Sequence, residues 1–124
     1  MDIKMSAFFI ALLFFSSCDN YNKISEERIN MIRDYSFCSC FEYSLGKDLT
    51  EDIREIDFSR ALLFDISEDV SLYFSKIDSM AKLESLKIES TQIQDYNSRK
   101  PVILRCLEFS RSNKIDSLID SITK

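Results

Sequence analysis

The stretch YSFCSCFEY, residues 35–43, places two cysteines two positions apart inside a run with helical spacing. Successive residues of an α-helix turn by about 100°, so Cys38 and Cys40 point about 200° apart. They do not look into the same core, and they do not chelate one ion without unwinding the helix. The same geometry disfavours a Cys38–Cys40 disulfide. A redox pair usually has Cys-x-x-Cys spacing at a helix start, whereas this pair is Cys-x-Cys in a helix middle. Of the four cysteines, Cys18 belongs to the N-terminal segment read below; Cys38, Cys40 and Cys106 leave three thiols and no histidine, one ligand short of the usual structural zinc site. A long-range disulfide remains. Cys40 shares a face with Ile29, Ile32 and Ser36, while Cys38 shares its side with Met31 and Leu45 but also with Asp34 and Glu42. The expected pair is therefore Cys40–Cys106, with Cys38 as the odd thiol; the alternative is three reduced, buried cysteines. Closing a loop of this length stabilises the fold by roughly 4 kcal/mol through lost chain entropy of the unfolded state.

The helix holding these cysteines begins at Ser25, an N-cap residue, with Glu26 and Glu27 in its first turn where negative charge suits the dipole. It runs to Leu45, and Gly46 is its stop signal. Ile29, Ile32, Ser36, Cys40 and Tyr43 form its stripe, made imperfect by Arg33. A second helix is expected over Thr50–Phe64, with Ile53, Ile56, Arg60 and Leu63 along one side. Ser67 caps a third, in which Val70, Tyr73, Phe74, Ile77, Met80 and Ala81 make the cleanest amphipathic face of the chain. Residues 89–100 are polar and lack a period, as in a loop. Pro101 suits the first turn of a fourth helix, with Val102, Ile103, Cys106 and Leu107 facing inward. Ser112 or Asn113 caps a last helix carrying Ile115, Leu118, Ile119 and Ile122 as core. The fold class is all-α: a small single-domain bundle of about five helices, stapled by one disulfide. Its apolar stripes face one another, because helices this short are marginal alone.

The first 23 residues read differently. Lys4 precedes an apolar run from Ala7 to Phe15, then Ser16, Ser17 and Cys18. The run is shorter than the roughly 20 apolar residues needed to span a bilayer and fits a secretory signal peptide. A cysteine directly after two small residues looks like a bacterial lipoprotein signal, in which Cys18 becomes the first mature residue and its sulfur is lipidated. Phe15 departs from the leucine common three positions before that cysteine; a plain cleaved signal or a short uncleaved anchor is the alternative. The expected organisation is a signal peptide over 1–17, a lipidated cysteine and tether over 18–24, and a helical domain over 25–124. Acyl chains hold the domain at a bacterial membrane, facing the periplasm, at about 0.8 kcal/mol per buried methylene.

Removing residues 1–17 of 124 leaves 107, enough for one domain. The net charge of −5 argues against nucleic acid, whose phosphates need a basic face. It also repels anionic lipid headgroups, so the membrane link is the acyl group itself. An acidic surface steers basic partners, and it equally serves solubility. One glycine cannot build a phosphate-binding loop. The absence of histidine removes Ser-His-Asp and Cys-His catalysis, and the carboxylates follow helix surfaces, so no enzyme and no cofactor are expected.

Three stretches, YSFCSCFEYSLGKDL, FDISEDVSLYFSKIDSMAKL and ILRCLEFSRSNKIDSLIDSI, occur in this order over most of residues 28–122. In this the chain resembles the type VI secretion amidase immunity proteins, the all-helical group paired with the fourth amidase effector family. The motif that carries the resemblance is Arg105, Cys106, Leu107 and Glu108, followed by Ile115, Asp116, Leu118 and Ile119. The resemblance implies a toxin inhibitor: a homodimeric immunity protein that binds a secreted peptidoglycan amidase, a papain-like cysteine hydrolase, and occludes its cleft. A lipid anchor departs from the family's usual soluble periplasmic form, and Cys38 lies outside its pattern. By the same resemblance Glu68, Asp69, Ser75, Lys76 and Asp78, read as the acidic first turn and outward residues of the third helix, are candidate contacts with the enzyme; the alternative is a solvated helix face. An envelope lipoprotein that scaffolds a complex shares every compositional feature and is the competing function.

Overall fold

The structure, a computed structural model, describes residues 24–66, 70–96 and 98–122. Cys18, Glu68, Asp69 and the cap residue Ser67 lie outside them. The described residues form an all-α bundle stapled by one disulfide: α1 (Glu26–Leu45), α2 (Lys47–Ile56), α3 (Ser59–Ile66), α4 (Phe74–Ser85), α5 (Val102–Ser110) and α6 (Asn113–Ile122). Short 3₁₀ turns precede α4 at Ser71–Tyr73 and interrupt the long loop at Gln94–Tyr96.

Helix α1 is the axis of the molecule, and α3, α4, α5 and α6 all pack on it. It begins where the Ser25 hydroxyl accepts the Arg28 amide at 3.3 Å, as its N-cap chemistry requires. Ile32, Tyr35, Ser36, Ser39 and Cys40 are buried along it, and Phe37 and Phe41 pack against the core from other sides. A helix with neighbours on several sides has no single apolar stripe, which accounts for the imperfect pattern. Arg33, the residue that spoils the stripe, donates to Asp116 of α6 at 3.1 Å. Ser36 and Ser39 are small enough to sit at helix crossings, and both hydroxyls are satisfied: Ser36 donates to the Ile32 carbonyl and Ser39 to Asp78, each at 2.6 Å. Opposite them lie Val70, Phe74, Ile77 and Ala81, all buried. Tyr35 stacks on Phe74 with ring centroids 3.7 Å apart.

The staple joins Cys40 to Cys106 across 66 positions of sequence, with Cα atoms 5.5 Å apart, inside the range disulfides require. Both cysteines are fully buried. Cys106 anchors α5, and Ile115, Leu118 and Ile119 close the core from α6. Phe109 is the other large core residue of α5. Ile103, expected to face inward, is exposed: Cys106, Phe109 and Ser110 set the inward line of α5, and Ile103 falls to one side of it.

The largest departure is in the second expected helix. Gly46 alone links α1 to α2 at φ 80°, a left-handed conformation that glycine adopts without penalty. Thr50 then locks the corner, its hydroxyl reaching the carbonyls of Glu42 at 2.9 Å and Gly46 at 2.7 Å. Asp57 is extended, at φ −132° and ψ 123°, and its carboxylate accepts the Ser59 hydroxyl at 2.7 Å. This local bond competes with helix continuation, so the expected helix is divided into α2 and α3. Ile56 and Arg60 consequently fall on different faces: Ile56 is 85% exposed, while Arg60 turns inward.

Cys38 is free and half-buried beside Phe37, Leu63 and Leu107. Burial pushes its thiol up to about 11, and the carboxylates of Asp57, Asp34 and Glu42 push in the same direction. The thiolate is the reactive form. In the native chain at pH 8, iodoacetamide is expected to alkylate Cys38 about 100-fold more slowly than a free cysteine of ordinary pKa. The rate should climb tenfold per pH unit up to at least pH 10; a rate plateau near pH 9 would contradict the burial assigned to this thiol.

Candidate functional site

Helix α3 has eight residues and little apolar surface to bury. Leu63 packs on the core, but Ala61, Leu62 and Phe64 are exposed. A cation holds the helix in place. Arg60, whose side chain is 19% exposed, reaches Glu42 of α1 through Nη1 at 2.8 Å and Asp78 of α4 through Nη2 at 2.7 Å. Its guanidinium lies 5.4 Å from the centre of the Tyr35 ring and 5.8 Å from that of Tyr43, within reach of cation–π attraction. Asp78 is further satisfied by the hydroxyls of Tyr35 at 3.1 Å and Ser39 at 2.6 Å. Glu42 also receives Arg54 of α2, at 3.1 Å from Nε and 2.6 Å from Nη2. Two guanidiniums thus meet two carboxylates, and one network ties α2, α3 and α4 to α1. The Nε of Arg60 is buried without a partner. Burial pushes the Tyr35 hydroxyl up to about 12; beside it, Arg60 lowers and Asp78 raises the value.

Above this polar layer two aromatic side chains of the α2–α3 corner are uncovered. Phe58 is 68% exposed and Phe64 51%. They line a groove of about 380 Å³ whose other walls include Tyr35, Asp57, Arg60 and Asp65. Phe64 still touches the core, with its ring 5.7 Å from that of Phe74. Two exposed aromatics thus line one groove over a helix that Arg60 pins in place.

A second cleft, about 540 Å³, opens beside Cys40, Pro101 and Phe109. Apart from Glu89, the charged residues lining it are paired within the fold. Glu84 pairs with Lys114 and with Lys87, and Arg105 pairs with Glu108. Burial raises the Glu84 carboxyl, but hydrogen bonds from the two lysines outweigh it and hold it below its ordinary value. Among the described residues no group of three or more His, Cys, Asp or Glu side chains is placed to hold a metal, and no helix is long and apolar enough to cross a membrane.

The residues expected at a partner interface separate in the structure. Ser75 and Lys76 are exposed on α4. Asp78, expected to point outward, is turned toward α1 and accepts from Tyr35, Ser39 and Arg60; two positions along the helix, it lies about 200° around from the exposed Lys76. Sequence reasoning misses the network of Arg60, Glu42, Tyr35 and Ser39, although an arginine on an otherwise apolar stripe is its signal. The late motif divides likewise. Arg105 and Glu108 form a surface pair at 2.8 Å, whereas Cys106, Ile115, Leu118 and Ile119 are buried in the core. No known protein family, characterised protein or solved structure matches the chain.

The network makes a prediction about stability. Arg60→Met leaves two half-buried carboxylates facing one remaining cation and is expected to cost about 2–3 kcal/mol, below the full cost of breaking a buried pair because water reaches the site. Arg54→Met removes a side chain that is 54% exposed and should cost under about 1 kcal/mol. Urea unfolding of both variants checks the order; equal costs would show that Arg60 is not the clasp.

Proposed function

We propose that this protein is a binding module of the cell envelope: an immunity protein that blocks a secreted peptidoglycan amidase by covering its cleft. The observation that carries the binding reading is the α2–α3 corner, where Phe58 and Phe64 stand exposed over a helix that Arg60 fixes in place. A preorganised surface with aromatic anchors suits protein recognition, because ordering it on binding costs little. The amidase as target follows from the resemblance of residues 28–122, and the envelope from the segment ending at Cys18.

The disulfide supports placement outside the cytosol, since such bonds persist in oxidising compartments. The late motif places Cys106, Ile115, Leu118 and Ile119 in the core. It supplies no contact surface beyond the Arg105–Glu108 pair, so the corner and the exposed face of α4 with Ser75 and Lys76 are the surfaces through which docking would run.

The test is inhibition of a papain-like amidase, which this reading expects to be encoded beside the gene. An equimolar amount of the native chain is expected to stop peptidoglycan cleavage, and Phe58→Ala to weaken inhibition at least tenfold while the unfolding midpoint stays within error. Full cleavage in the presence of excess native chain would exclude the immunity reading. Retention of envelope proteins with no effect on the hydrolase would favour a scaffold lipoprotein.

A further inference from the structure

The α2–α3 corner carries more acid than its own fold uses. Lys47 pairs with Glu51 at 3.9 Å, and Arg54 and Arg60 are taken up by Glu42 and Asp78. Every cation of residues 47–66 is therefore matched. Asp48, Asp52, Glu55, Asp57 and Asp65 form no ion pair among the described residues; Arg54 and Arg60 line the same groove as Asp57 and Asp65, but their charges are taken up by Glu42 and Asp78. Asp57 is held by a neutral hydroxyl, that of Ser59, which leaves its charge uncompensated.

Two of these carboxylates share a groove with the exposed aromatics. Asp57, Phe58, Phe64 and Asp65 all line the cleft above Tyr35, and all four are exposed. The groove's volume, about 380 Å³, is at the lower end of sites that take small ligands or single anchoring side chains. Aromatic faces and carboxylates attract the same chemical class. A guanidinium or ammonium gains from the ring quadrupole and from the carboxylate charge together, while an acidic ligand is repelled by Asp57 and Asp65. A purely apolar ligand would leave Asp57 and Asp65 desolvated without partners.

We infer that this groove is the docking point for a basic protein surface, and that it takes an arginine or lysine side chain of the partner between Phe58 and Phe64, with Asp57 and Asp65 as its counter-charges. The inference rests on the binding-module reading and adds the chemistry of the partner. The five uncompensated acids of the corner steer such a surface from a distance, and the aromatic groove fixes one cationic anchor.

The experiment is an amide chemical-shift titration of the full-length oxidised chain at low ionic strength. The probes are N-acetyl-arginine-N-methylamide and its citrulline counterpart, which matches the shape without the charge. The arginine probe is expected to give saturable shifts confined to residues around 57–65, with a dissociation constant in the millimolar range. The citrulline probe and the double variant D57N/D65N should each weaken binding about tenfold. The amide introduced by D57N retains an acceptor for the Ser59 hydroxyl, and circular dichroism verifies that the variant is folded. Equal affinity for the two probes, shifts centred elsewhere, or no saturable shift would overturn the inference. Amidase inhibition is read separately, so a chain that inhibits the enzyme but ignores the arginine probe would defeat this inference alone.

Discussion

The bond between Cys40 and Cys106 fixes the relation on which the rest of the molecule is built. It joins the central helix to α5 across 66 positions, where no short connection holds the two together. On α1 the bonded cysteine sits between Ser39, which donates to Asp78, and Glu42, which receives Arg54 and Arg60. The helical turn stapled to α5 is thus the same turn that presents hydrogen-bonding groups to α2, α3 and α4. A chain of this size buries a modest core, and a disulfide closing a long loop adds a large fraction of the roughly 5–15 kcal/mol typical of a small domain.

Two different physical effects hold the two halves of the bundle. On the side of α4, α5 and α6 the packing is apolar and dense, with Ile32, Ile77, Phe74 and Ile115 almost without exposure. On the side of α2 and α3 it is polar. Charge-assisted hydrogen bonds from one guanidinium replace an apolar face, and hydrogen bonds of this kind fix direction more strictly than apolar contact does. The consequence is an α3 that is positioned without using up its aromatic residues. Phe58 and Phe64 leave apolar area in water that would contribute about 25 cal/mol per Å² if covered. A partner that covers them recovers this energy without first having to order the helix beneath.

The fold was largely legible in the sequence, for reasons specific to each element. The faces of Val70, Phe74, Ile77 and Ala81 and of Ile115, Leu118 and Ile119 repeat at three and four, and these residues are buried. Ser25 and Gly46 bound α1 through local chemistry that acts at their own positions. The choice of Cys40 over Cys38 follows from helical angle, and the pairing agrees. The division of α2 from α3 was not legible, because the hydroxyl of Ser59 and the carboxylate of Asp57 carry no periodic signature. The site was hidden for a related reason. Periodicity reports which residues face inward, but whether an inward arginine finds carboxylates depends on which helices meet it. Glu42 and Asp78 lie 18 positions before and after Arg60, on helices that only the tertiary fold brings together. Asp78 therefore reads as a solvated acid when it is the junction of three elements.

The most direct measurement is peptide mapping of the native chain by mass spectrometry without reduction, after alkylation of free thiols in denaturant. The account predicts one linked pair of peptides joining Cys40 to Cys106, with Cys38 recovered as the alkylated free thiol. Recovery of Cys40 and Cys106 as separate free thiols, or of a Cys38–Cys106 link, would contradict it and with it the placement of α1 against α5.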